Sequence, residues 1–204
     1  MKKKINIYYL LYALSCLFIF LRLEINYGSD MEAPFTDDFY YYLTTARNFI
    51  TLKFITFDKI SLTNGIQPLW FLTLLGLKFV INNEIIFNCI VIALIFCLSF
   101  LTFFVFKYFL KRQDYSDNSS IFISISISFL SLFFSKNGME ISLAIFLFSL
   151  SLIYLNNNTT IFCFLAFFTF LTRLEFILFY SVIIFYYLFL KKKIFQKNYV
   201  LKIS

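Results

Sequence analysis

The chain holds no histidine, no CxxC pair among its four cysteines, and only 14% charged residues. Without histidine or paired thiols there is no pattern for a zinc or iron–sulfur cage or for a disulfide framework. Cys16, Cys89, Cys97 and Cys163 all fall inside apolar runs, where a thiol behaves as a small hydrophobe. So little charge beside 61% hydrophobic residues excludes a single soluble core, for which an apolar content of about 45–50% is usual. Polar–apolar alternation is also scarce. Only Ile121 to Ser128 (IFISISIS) shows it, which excludes a closed β-barrel and makes Ile121 to Ser135 the least helix-like span by pattern. No small-x-small cleavage site follows Ile5 to Leu21, so this first run reads as an uncleaved signal anchor.

What the chain does contain is long uncharged runs. Phe, Ile, Asn and Lys are all over-used, so the pattern and not the percentage carries the argument. Ile5 to Leu21 and Ile85 to Phe106 each approach or exceed the roughly 18–20 residues that cross a bilayer core. The expected fold is all-α: a single membrane domain over 1–204, a polytopic transmembrane helical bundle. Its spans are expected at about 5–23, 84–106, 121–135, 141–156, 160–173 and 175–190. An outer loop at 24–83 carries juxtamembrane helices at about 37–50 and 67–81. With the N-terminus in the cytoplasm, the inner segments 1–4, 107–120, 157–159 and 191–204 hold eleven of the 18 basic residues and only two acids, Asp114 and Asp117. That satisfies the bias of Lys and Arg toward cytoplasmic loops. This topology requires that Gln67 to Ile81 not cross. At about 22 Å as a helix it falls short of a roughly 30 Å core, and it carries Lys78, so an interfacial or re-entrant helix is expected.

The costly polar side chains then gather on the outer face: Asp37, Asp38, Arg47, Asn64, Gln67, Lys78, Glu140, Arg173 and Glu175. Thr36 to Ile50 (TDDFYYYLTTARNFI) opens with a cap and two acids, which suit the positive end of a helix dipole. Spacing of four sets Asp37 above Tyr41 and Asp38 above Tyr42, an arrangement equally suited to capping and an aromatic headgroup belt. Thr63 to Trp70 (TNGIQPLW) reads as a turn and then a helix from Pro68. Lys136 to Ser142 (KNGMEIS) and Leu171 to Glu175 (LTRLE) are tight outer loops bearing charge.

The order of these four motifs resembles the GT-C-fold membrane glycosyltransferases, particularly the bacterial arabinofuranosyl- and mannosyltransferase-like enzymes. The resemblance covers about residues 5–190. It differs from the family pattern at Gln67, Ile141 and Leu174, where relatives often carry His, Thr and Pro. The chain ends at Ser204 where members continue with further spans, so an N-terminal part, or a remnant served by a partner chain that supplies the missing spans, is expected.

The resemblance implies transfer of a sugar from a polyprenyl-phosphate donor to a glycan or lipid acceptor on the extracytoplasmic face of the inner (cytoplasmic) membrane. Asp37, the first of the pair, or Asp38 would take the acceptor proton. Arg173 would hold the carrier phosphate, and Asn64, Gln67, Trp70 and Glu140 would contact substrate. No cofactor is expected, with a divalent cation bridging the two acids left as the alternative. The bilayer is a partner and nucleic acid is not. The competing reading is a non-catalytic membrane protein, such as a subunit or remnant of a split transferase. A transporter is disfavoured because the runs 5–21, 85–106, 121–135 and 141–156 hold no ionisable residue at mid-span.

Overall fold

A computed structural model describes residues 35–186. The expected span at 5–23, Cys16, the basic segments 1–4 and 191–204 and the end of the last expected span lie outside the described residues. Among the described residues the chain forms seven helices and no strand: α1 Asp37–Leu52, α2 Pro68–Val80, α3 Glu84–Arg112, α4 Asp117–Ser135, α5 Ile141–Tyr154, α6 Thr159–Thr172 and α7 Phe176–Phe185. Two of them, α3 and α4, are long and apolar enough to cross a membrane.

Each boundary has a local cause. Thr36 stands in extended conformation before the two acids of α1, and Pro68 occupies the first turn of α2, where its missing N–H costs nothing. Asn83, Ser116 and Asn158 cap α3, α4 and α6 by accepting from Ile86, Ser119 and Ile161 backbone N–H groups. Lys111 and Arg112 sit in the last turn of α3, where the helix dipole favours cations.

The helix α4 corrects the reading of 121–135 as the least helix-like span. Ser120, Ser124, Ser128, Ser131 and Ser135 recur at spacings of three and four and are all fully buried. The apparent strand alternation is therefore a helical stripe of small polar residues with extra serines between them. This stripe faces α3: Ser99 and Ser131 hydroxyls lie 3.2 Å apart, and Ser128 donates to the Ser99 carbonyl. Small residues let the two backbones approach, and the hydroxyls bond across the seam. Phe122, Leu130, Phe133 and Phe134 point outward and are exposed, so α4 buries its polar stripe and exposes its aromatic one.

The bundle has two ends. At one, Lys111 pairs with Asp117 at 2.7 Å across the α3–α4 turn. Asn157, with its amide oxygen turned toward Arg112, accepts from both terminal guanidinium nitrogens at 2.9 Å. At the other end lie the start of α3, the α4–α5 loop and the α6–α7 junction. Both ends of α2 are tied to this second end: Trp70 Nε1 donates to the Gly138 carbonyl at 3.2 Å, and Lys78 Nζ contacts Glu84 Oε1 at 2.5 Å. The main core gathers there too, joining Phe39, Leu43, Trp70, Leu74, Phe87, Val91 and Leu132 from α1 to α4. A second cluster binds α5, α6 and α7 around Tyr180, whose hydroxyl meets Ser151 at 2.9 Å and Thr169 at 3.2 Å.

Candidate functional site

The α4–α5 loop organises the second end. Gly138 has φ +82°, a left-handed conformation that residues bearing a Cβ resist and glycine adopts freely. A Cβ there would stand 2.6 Å from Phe39 Cδ2 and 2.8 Å from Phe35 Cδ1, so the entrance to α1 packs directly on this backbone. Thr36 Oγ1 donates to the Asn137 carbonyl at 3.4 Å, and Trp70 holds Gly138 from the α2 side. Three segments far apart in sequence are thus fastened together.

On that base sits a charged cluster. Glu140, immediately before α5, is 2% exposed, and its Oε1 lies 3.5 Å from Arg173 Nε. Its Oε2 is buried with no hydrogen-bond partner among the described residues. Burial raises the Glu140 carboxyl above its ordinary pKa, against its own backbone N–H and the Arg173 charge, with the negative charges of Glu175 and Asp38 adding to the rise. Arg173, just past α6, also donates through Nη2 and Nε to the two Glu175 oxygens at 3.0 and 3.3 Å. Its side chain is 30% exposed, so one edge of the guanidinium reaches solvent.

Tyr42 is the α1 member of the cluster. It is buried, and its hydroxyl oxygen accepts the Gln67 backbone N–H at 3.0 Å, joining α1 to the start of α2. Burial pushes its pKa up to about 12, with Glu140 and Asp38 adding to the rise and the Gln67 N–H and Arg173 opposing it.

The residues anticipated from sequence divide as follows. Glu140 and Arg173 meet directly, Gln67 joins them through its backbone N–H on Tyr42, and Asp38 lies exposed one turn before Tyr42. Asp37, like Asp38, is exposed in the first turn of α1 and lies one turn before Tyr41. Asn64 is exposed on the preceding turn and meets α1 only through its carbonyl, which accepts from Tyr41 at 3.4 Å. Trp70 is fully buried and spends its indole N–H on Gly138, which makes it a fastener of α2 to the loop. Two participants had no assigned role: Tyr42, for which the four-residue spacing from Asp38 was the available signal, and Glu175, two residues beyond Arg173. Among the described residues no three His, Cys, Asp or Glu side chains gather as metal ligands.

Compared with known proteins, the chain matches no family model, no curated protein and no solved structure.

Proposed function

We propose that the chain is a polytopic inner-membrane glycosyltransferase of the GT-C type, or the N-terminal part of one. It would transfer a sugar from a polyprenyl-phosphate donor to a cell-envelope acceptor on the extracytoplasmic face. The observation that carries this reading is the gathering of Tyr42 from α1, Glu140 from the α4–α5 loop and Arg173 from the α6–α7 junction, three separate segments, at one end of a bundle, with Asp38 one turn before Tyr42 on α1. The outward faces of that bundle are apolar. Phe100, Leu101, Phe104, Phe122, Phe133, Phe164, Phe167, Leu178 and Phe185 are all exposed, far more than a protein surrounded by water tolerates. Buried serines and exposed phenylalanines suit a hydrocarbon solvent, in which helices associate through small polar seams.

In this reading an acid of the Asp37–Asp38 pair takes the proton of the acceptor hydroxyl as its oxygen bonds to the anomeric carbon. The bond from that carbon to the carrier phosphate breaks, and the departing phosphate carries the electron pair to Arg173. What favours Asp38 over Asp37 is its place one helical turn before Tyr42, the α1 member of the cluster. Glu140 is buried behind the guanidinium and orients it, while the exposed Glu175 occupies the edge that a phosphate would take over.

The pairing of Arg173 with both Glu140 and Glu175 also favours the second reading, a non-catalytic subunit or remnant, because the cation is already neutralised. Transfer of labelled sugar from polyprenyl phosphate in membranes separates the two. Activity that the Asp37→Asn/Asp38→Asn double variant abolishes supports catalysis, and none from the wild-type chain with its partners supports the remnant.

A further inference from the structure

A second charged constellation lies further along α1. Arg47 Nη2 contacts Glu84 Oε2 at 2.5 Å, and the same carboxylate receives Lys78 through Oε1. Two bases thus share one acid. Lys78 is buried, with its ammonium also donating to the Asn82 carbonyl at 3.3 Å and lying 5.4 Å from the Phe87 ring centre. Glu84 is therefore held from the protein side by Lys78 as well as by Arg47. Arg47 is far more open, with 45% of its side chain exposed, and its pairing leaves most of its donor fork facing outward.

Beside this triad is a cavity of about 380 Å³ lined by Tyr40, Arg47, Asn83, Glu84 and Ile85. That volume lies in the range of roughly 300–1,000 Å³ common for small-molecule sites. The α2–α3 junction that leads to it is apolar and open: Phe79 and Val80 at the end of α2 are 70% and 81% exposed, and Ile85 and Ile86, which follow Glu84, have about half their surface outside. A net positive charge and a hydrogen-bonding fork beside a strip of exposed aliphatic and aromatic surface match an amphiphile with an anionic head. A free ion would make no use of the apolar strip. Arg47 is nine residues past Asp38, about 13 Å along the helix, so this cavity is distinct from the Arg173 cluster.

We propose that this cavity binds the phosphate headgroup of an anionic membrane phospholipid, with Arg47 as its main contact and the α2–α3 junction lying along its acyl chains. The inference rests on the membrane reading alone and does not require sugar transfer.

The test uses the full chain, purified from membranes in detergent and stripped of lipid. The probes are mixed micelles of phosphatidylglycerol or phosphatidylcholine, and inorganic phosphate. The expected result is thermal stabilisation and retained lipid with phosphatidylglycerol, little with phosphatidylcholine, and no displacement by millimolar phosphate. Arg47→Gln should weaken the phosphatidylglycerol response about tenfold, in the range of one charge-assisted contact. Arg47→Lys keeps the charge and the Glu84 pair, and it should still weaken the response several-fold through loss of the fork. Lys59→Gln, on the exposed α1–α2 loop, should leave it unchanged. Equal responses from wild type and Arg47→Lys, or from the two lipids, would overturn the proposal, as would displacement by inorganic phosphate. Alkaline carbonate extraction keeps the two ideas apart. A chain that leaves the membrane in carbonate defeats the membrane reading, whereas an integral chain indifferent to phosphatidylglycerol defeats only the lipid site.

Discussion

Glu140 Oε1 and Arg173 Nε lie 3.5 Å apart although their loops are separated by two helices, and the glutamate is the buried partner of the two. The pair joins the start of α5 to the end of α6, and a raised Glu140 pKa is a direct consequence of its burial.

That burial makes stability depend on pH. A carboxyl whose folded pKa is raised gives up its proton at higher pH in the native chain than in the unfolded one. Its contribution is therefore most favourable below the ordinary value of 4.5 and declines as pH rises through the folded pKa. Glu140→Gln removes this titration. The difference in melting temperature, variant minus wild type, should grow more positive with rising pH above 4.5, as measured by thermal unfolding in detergent across pH 4 to 8. A difference independent of pH would contradict the assignment.

Gly138→Ala should be among the more damaging single changes. It forces a side chain into a left-handed conformation and against Phe35 and Phe39, at a cost of about 1–3 kcal/mol for the backbone strain alone. Denaturation of the purified variant reads this directly. Gly65→Ala, also at positive φ but with open space around it, should cost less.

The α3–α4 seam gives an independent test of packing. Ser131→Leu inserts bulk where the Ser99 hydroxyl stands 3.2 Å away, and overpacking of this kind costs about 1–3 kcal/mol. Ser126→Leu, on the partly exposed side of the same helix, should be nearly neutral.

How far the sequence reveals this arrangement differs from element to element. The positions of α3, α5 and α6 are legible because uninterrupted apolar runs mark them, with capping asparagines before α3 and α6, but α3 runs on to Arg112, six residues past the apolar run that ends at Phe106. The start of α2 is legible from Pro68, whereas the ties of its two ends to Gly138 and Glu84 are not. Helix α4 is misleading because serine serves two purposes, and only the buried set at helical spacing reveals which face is inside. The cluster itself is half legible. Charged residues in short loops stand out against apolar runs, so Glu140 and Arg173 are found. Tyr42 does not stand out among 14 tyrosines, and the burial of Trp70 depends on a long-range hydrogen bond to Gly138.

The orientation expected from the distribution of Lys and Arg is open to chemical labelling. A cysteine replacing Ser116, exposed at the Lys111–Asp117 turn, should react with an impermeant thiol reagent only after permeabilisation. One replacing Thr63 should react in intact cells. The reverse pattern would invert the bundle and put the Arg173 cluster in the cytoplasm.

Arg173→Lys should mainly weaken donor binding, raising the concentration of polyprenyl-phosphate sugar needed for half-maximal transfer, because an ammonium cannot make the paired contact of a guanidinium. A fall in turnover with unchanged donor dependence would instead point to a role in the chemical step.

The most direct test is transfer of labelled sugar from polyprenyl phosphate by membranes that hold the chain and any partner, with Asp38→Asn, Asp37→Asn and the double variant in parallel. Asp38→Asn should lower turnover by roughly 10²–10⁴-fold, the usual worth of a general base, with normal membrane insertion and a smaller effect from Asp37→Asn. Transfer by the double variant at the wild-type rate would contradict the account.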